Sequence, residues 1–160
     1  MGTSEPKSRH TWPELIQIAL DIEESGGRIY AAAAGESEGK GKRVFADFSA
    51  VKKRHAEDLS GLLSDLPQDS PGVTFNRNIL DYLERGRRLT ESFGSTLVLV
   101  EFSINFEEEV LRFYRSLLGQ ARDPLRSVIG GMIEENEEKV EEVRTLAMTT
   151  LAGLDTPRGM

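Results

Sequence analysis

Two glutamates, Glu23 and Glu107, each precede a tyrosine by seven residues, and the two pairs are 84 positions apart in the chain. The tyrosines are Tyr30 and Tyr114. Because seven residues span two turns of an α-helix, each glutamate shares a helical face with its tyrosine. The rest of that face is apolar, which predicts that the carboxylates are buried, where an unpaired charge is very costly. Each glutamate therefore needs a partner, which is either a metal ion or another group.

The composition restricts the classes of function. The chain has 160 residues, a formal net charge of −7 and no cysteine. The acidic balance argues against nucleic acid or an anionic membrane as a partner, because these would need clustered positive charge. The lack of cysteine excludes disulfides, thiolate zinc sites and a rubredoxin-type iron centre on this chain. No apolar run is long enough for a membrane span, and the N-terminus has no apolar signal-peptide region, so a cytoplasmic location is expected.

The spacing of apolar residues predicts four long helices and one short helix. Thr11 begins a capping-box pattern at the first helix, and Asp123-Pro124 is typical of the start of the last. The long helices are expected over residues 11–34, 39–63, 95–120 and 124–151, and the short one over residues 78–85. Flexible tails are expected at residues 1–10 and 152–160, around one domain at residues 11–151.

Glycines mark two places where the helical pattern is weak. Gly26 and Gly27 fall inside the first helix, where each costs about 1 kcal/mol relative to alanine. They indicate a close approach of another helix, a local bulge, or simple tolerance of small residues. After the short helix, residues 86–90 are predicted to continue the connection.

The order and spacing of the helices predict how they are arranged. The first and last connections are short, which places the helices they join side by side and antiparallel, whereas the middle connection is long. With the offset of 84 residues, the apolar positions of the first and third long helices also coincide. We therefore predict an all-α, ferritin-like four-helix bundle, made of two pseudo-symmetric helical hairpins and a long crossover that contains the short helix.

The two Glu and Tyr pairs, followed by His55 on the second helix, resemble the rubrerythrin-like branch of the ferritin-like superfamily over residues 11–150. The resemblance implies a di-iron centre. Each hairpin of such a protein supplies one glutamate from its first helix and a Glu-x-x-His pair from its second, and residues three apart on a helix converge on one metal. Glu23 and Glu107 match the first-helix ligands, and His55 matches the first histidine.

The remaining ligands that the resemblance implies have been replaced. Lys52 stands where the first Glu-x-x-His has its glutamate, and Asn136 and Lys139 stand at the equivalent positions of the second half. Two lysines would balance Glu23 and Glu107, as two metal ions balance four carboxylates in the family, and buried charges require such pairing. We therefore predict that Lys52 and Lys139 pair with the two glutamates. The predicted polar cluster contains Glu23, Tyr30, Lys52, His55, Glu107, Tyr114, Asn136 and Lys139.

Two alternatives remain open for the centre. The lysines could lie on exposed faces of the bundle. Alternatively, one metal could bind to Glu23, His55 and Glu107, a set compatible with iron, manganese or zinc, with Glu108, Glu135 or Glu138 helping after a small register change.

These observations predict a rubrerythrin-like protein with a degenerate, lost di-iron site and no cofactor. Its role would be non-catalytic, in binding, as a scaffold or in regulation, and it would act as a homodimer with a protein or small-molecule partner that the sequence does not identify. The alternative is an enzyme: a non-haem iron oxidoreductase or ferroxidase that handles peroxide or oxygen at an altered, mononuclear iron or manganese site.

Overall fold

The computed structural model describes residues 10–66, 73–75, 77–91 and 96–155. Most of the predicted flexible tails, namely residues 1–9 and 156–160, lie outside the described residues. Apart from one isolated bridge between His10 and Val73, the described ranges are helical or irregular. The helices are α1 (Trp12–Gly35), α2 (Gly39–Leu62), α3 (Asn78–Glu91), α4 (Thr96–Leu118) and α5 (Leu125–Asp155), with a short 3-10 turn at Leu63–Asp65.

The signals at the helix starts act as the sequence predicts. The Thr11 side chain accepts a hydrogen bond from the backbone N–H of Glu14 at 3.3 Å, and Glu14 accepts one from the backbone N–H of Thr11 at 2.8 Å. This reciprocal capping box satisfies two backbone donors that no helical turn can satisfy. At the start of α5, Asp123 accepts a hydrogen bond from the backbone N–H of Ser127 at 3.1 Å.

The four long helices form two hairpins. The helices α1 and α2 pack along each other, as do α4 and α5, while α2 and α5 join the two hairpins. The crossover between the hairpins contains α3, which packs on α1 and α4. The prediction of an all-α bundle of two hairpins with a long crossover is confirmed. None of the described helices is long and apolar enough to cross a membrane.

The repeat in the sequence corresponds to the buried stripes of α1 and α4. Ile22 and Ile29 in α1 align with Phe106 and Phe113 in α4, and all four are 0–1% exposed. The same apolar face therefore points inward in both hairpins. This face is the one that carries the glutamate and tyrosine of each half, so the fold places these polar groups inside the core.

The extra helix is longer than predicted. It continues to Glu91, so the expectation that residues 86–90 form part of the connection is wrong. Gly86 is buried within α3, and a Cβ added there would lie only 2.5 Å from Cδ1 of Ile29. The missing side chain allows α3 to cross close over α1, and this packing outweighs the low helix propensity of glycine.

Candidate functional site

The centre of the bundle contains a lysine between two glutamates. Nζ of Lys52 donates to Oε1 of Glu107 at 2.9 Å and lies 3.8 Å from Oε1 of Glu23. All three side chains are buried, with at most 1% of their surface exposed. Since α1, α2 and α4 each contribute one of these residues, a single ammonium joins three helices. Lys52 therefore contacts both of the glutamates that the sequence assigned jointly to Lys52 and Lys139.

The two tyrosines bind the glutamates of the opposite hairpins. The hydroxyl of Tyr30 donates to Oε2 of Glu107 at 2.6 Å, and that of Tyr114 donates to Oε2 of Glu23 at 2.5 Å. Burial raises the pKa of both tyrosines well above the ordinary value, and the neighbouring carboxylates raise it further, so both hydroxyls remain protonated donors. The repeated spacing in the sequence thus produces two hydrogen bonds that link α1 to α4.

His55 connects this buried centre to the surface. Its Nδ1 lies 3.3 Å from Oε1 of Glu23, and its Nε2 lies 2.7 Å from Oε1 of Glu135. Glu135 is 34% exposed and also accepts a hydrogen bond from Arg54. Partial burial acts to raise the pKa of Glu135, but the hydrogen bonds from His55 and Arg54 outweigh it, so the pKa lies below its ordinary value. Hereafter the central cluster means Glu23, Tyr30, Lys52, His55, Glu107, Tyr114 and Glu135.

The sequence indicates Glu135 only as an auxiliary metal ligand and gives no sign of its hydrogen bond to His55. Glu135 lies within the acid-rich run of residues 134–142, where charge alone does not distinguish an inward-facing residue from its solvated neighbours. Only its position directly before Asn136, which aligns with Lys52, marks it as close to the centre.

The two buried glutamates differ in their proton affinity. Burial penalises the charged form of Glu23, but the Lys52 ammonium and the hydrogen bonds from His55 and Tyr114 outweigh it, so the pKa of Glu23 is lowered. For Glu107 burial outweighs the same ammonium, so the pKa of Glu107 is raised even though Lys52 lies closer to it. Two causes separate the glutamates: His55 contacts Glu23 and not Glu107, and the charge of Glu23 raises the pKa of Glu107.

Lys139 does not join the central cluster, so the prediction that it pairs with a buried glutamate is wrong. Its Nζ donates to Oε2 of Glu142, one turn further along α5, at 3.3 Å, and its side chain is 17% exposed. A lysine at a partly exposed position retains access to water, which costs less than burying a second ammonium.

Asn136 is fully buried, but its amide makes no hydrogen bond to the polar cluster of which the sequence predicted it to be part. Among the described residues, neither Oδ1 nor Nδ2 of its amide has a hydrogen-bond partner. The half of the molecule that contains Asn136 therefore lacks the cation that Lys52 supplies in the other half.

The donor set does not fit the di-iron centre that this kind of fold implies. The ammonium of Lys52 contacts both glutamates, so a divalent cation between them would meet a positive charge. The single-metal set of Glu23, His55 and Glu107 meets the same obstacle, because the Lys52 ammonium lies 2.9 Å from Glu107 and 3.8 Å from Glu23, where a metal held by both glutamates would have to bind. Within the described part of the chain, no group of three or more metal-ligating side chains could hold a metal ion.

A groove of about 670 Å³ between α1 and α2 leads from the surface toward the cluster. Glu23 is among the residues that line it, together with the small residues Gly27, Ala31, Ser49 and Ala56. The groove does not open the cluster to water, because the side chain of Glu23 has no exposed surface.

No protein-family model and no curated protein matches this chain. Among solved structures, one from Thermotoga maritima, described as a ferritin-like diiron-carboxylate protein, superposes with a TM-score of 0.72. The superposition covers 89% of this chain and 97% of that chain, at 15% sequence identity. The two chains therefore share a backbone fold, although few of their residues are identical. The chain has the fold of a ferritin-like helical bundle.

Proposed function

We propose that this chain is a rubrerythrin-like protein in which a buried ionic cluster has replaced the di-iron site, and that it has a non-catalytic binding, scaffold or regulatory role as a homodimer. The observation that carries the proposal is the position of Nζ of Lys52, 2.9 Å from one central glutamate and 3.8 Å from the other. An ammonium there supplies the positive charge that the glutamates need.

The cluster contains cations of its own. Three carboxylates face one ammonium and one guanidinium, and the histidine lies between two of the carboxylates. The chain of contacts from the core to the surface is Glu107, Lys52, Glu23, His55, Glu135 and Arg54.

The missing residues also argue against the chemistry of a di-iron enzyme. Oxidation by a pair of metals needs bridging carboxylates to hold the two ions close together. Lys52 and Asn136 stand where the resemblance implies those bridging glutamates. The alternative, a mononuclear oxidoreductase or ferroxidase, requires Lys52 to leave its two glutamates and His55 to exchange one carboxylate for the metal.

The metal content of the purified protein tests the proposal. We expect far less than one metal per chain after expression with iron or manganese supplied, as measured by elemental analysis. A content of about two per chain would overturn the proposal. A content of about one would favour the mononuclear alternative.

A variant with the implied ligands restored provides the complementary test. The combined substitutions Lys52→Glu, Asn136→Glu and Lys139→His should create a site that takes up about two divalent ions per chain. Lys53→Glu is the matched control for the first of these substitutions, because it makes the same change of charge as Lys52→Glu at the exposed neighbouring position. If the wild-type chain binds manganese or zinc as well as the restored variant in a calorimetric titration, the site was never lost.

A further inference from the structure

We infer that Gly26 is the positioning residue for the central ammonium, because the lack of a Cβ at this position is what allows the side chain of Lys52 to reach Glu107. The inference rests on the proposed function, since it concerns the cation that stands in place of the metals.

The side chain of Lys52 runs directly over the backbone of α1 at Gly26. A Cβ added to Gly26 would lie 3.2 Å from both Cδ and Cε of Lys52, and 3.4 Å from its Cγ. Carbon atoms in contact prefer separations of about 3.5–4.0 Å. Three consecutive methylene groups of the lysine therefore occupy space that any other residue at position 26 would fill.

The neighbouring Gly27 has no such role. A Cβ added there would lie 3.8 Å from Cβ of Lys52 and 3.9 Å from the carbonyl oxygen of Ser49, which are ordinary contact distances. Alanine has a better helix propensity than glycine at either position. Helix propensity thus gives no reason for a glycine at 26, whereas the path of Lys52 does.

In the second half of the molecule, the larger side chain stands at the position equivalent to the glycine and the shorter one stands at the position equivalent to the lysine. With the offset of 84 residues, Gly26 aligns with Val110 and Lys52 aligns with Asn136. In the first half, the long side chain of Lys52 is combined with Gly26. In the second half, the shorter side chain of Asn136 is combined with the branched side chain of Val110. All four residues are buried, so their volumes are constrained by packing in both halves.

The consequence is that Gly26 sets how closely the ammonium approaches Glu107. A Cβ at position 26 would require the methylene groups of Lys52 to move away from α1 by a few tenths of an ångström, and a larger side chain would require a larger movement. The 2.9 Å contact between the ammonium and Glu107 would then lengthen, which weakens the attraction of both glutamates to their shared cation.

Labelling of lysine amines tests this inference. The folded protein is treated with an amine-acetylating reagent, and acetylation is located by fragment-ion mass spectrometry. The adjacent, exposed Lys53 provides an internal reference for reagent access. In the wild type, Lys52 should be labelled far more slowly than Lys53, because it becomes accessible only when the structure opens locally.

The variants separate steric displacement from a general loss of stability. Gly26→Ala and Gly26→Val should each speed the labelling of Lys52 relative to Lys53, by about fivefold and at least about tenfold respectively, whereas Gly27→Ala should leave it unchanged. Ile16→Val is the control for stability, because it removes one buried methylene about 15 Å away along α1. If Gly26→Val does not fold, Gly26→Ala decides.

Each outcome refers to a different claim. If Lys52 is labelled as fast as Lys53 in the wild type, both the proposed function and the inference fail. If wild-type Lys52 is protected but the variants at position 26 protect it equally well, the inference fails and the proposed function stands. The inference also fails if Ile16→Val speeds the labelling of Lys52 as much as Gly26→Ala does at the same loss of stability.

Discussion

Replacing Lys52 by methionine removes the central charge and retains most of the side-chain volume. The ammonium contacts Glu107 at 2.9 Å and Glu23 at 3.8 Å, so its loss leaves two buried carboxylates without their shared partner. Breaking a buried ion pair from one side costs about 3–5 kcal/mol, because the remaining charge is left uncompensated. We expect Lys52→Met to lower the free energy of unfolding by about 3–4 kcal/mol at pH 7.

Two estimates from the structure support this magnitude. With an effective dielectric constant of about 20, Coulomb's law gives an attraction of about 6 kcal/mol at the shorter distance and about 4 kcal/mol at the longer. Desolvation of each ion, which costs several kcal/mol, offsets much of this sum. The loss is also limited because a carboxyl group can take up a proton instead. Starting from an ordinary pKa of 4.5, this costs about 3–4 kcal/mol at pH 7.

The pKa of Glu107 determines how the stability of the Lys52→Met variant depends on pH. Burial already raises the pKa of Glu107, and the loss of Lys52 raises it further. A carboxyl group with a raised folded-state pKa binds more protons in the folded state, so its contribution to stability falls as the pH rises toward that pKa. At pH 5 protonation costs only about 1 kcal/mol, so the variant should lose much less stability there than at pH 7.

Urea denaturation followed by circular dichroism measures both effects. Lys53→Met is the matched control, and since Lys53 is exposed we expect it to change stability by at most about 0.5 kcal/mol. A loss below about 1 kcal/mol for Lys52→Met at pH 7 would refute the reasoning, because a buried pair would then have been broken without cost. An equal loss at pH 5 and pH 7 would refute the assignment of the effect to the carboxylates.

Other contacts lead to further predictions. Tyr114→Phe removes the donor to Glu23 and should lower the free energy of unfolding in urea by about 1.5–3 kcal/mol; a change below about 0.5 kcal/mol would contradict the buried hydrogen bond. Gly86→Ala should lower the melting temperature, since its Cβ would lie 2.5 Å from Cδ1 of Ile29. The corresponding change at Gly61, where an added Cβ has no neighbour within 4 Å among the described residues, should raise it. If Gly86→Ala raises the melting temperature as Gly61→Ala does, the close crossing of α3 over α1 does not constrain position 86.

Much of the fold could be predicted because it depends on local signals. The capping box at Thr11, the start at Asp123-Pro124 and the apolar stripes depend on neighbours within a few turns, and the helices begin within two residues of where these signals place them. The end of α3 could not be predicted in this way. On local grounds Gly86 favours the end of a helix. The helix continues through it because of the close packing of α3 against Ile29 in α1, which local signals do not contain.

The candidate site also could be predicted only where it depends on local signals. By itself the sequence determined that Glu23 and Glu107 are buried and that each shares a helical face with a tyrosine, because burial follows from helical periodicity. It also determined that each glutamate needs a partner, because a buried charge cannot remain unpaired. Only the tertiary structure decided which groups meet. One ammonium contacts both glutamates, each tyrosine donates a hydrogen bond to the glutamate of the other hairpin, and Lys139 lies at a partly exposed position. The physical reason is that pairing depends on distances between helices, which the spacing of residues along any one helix does not contain.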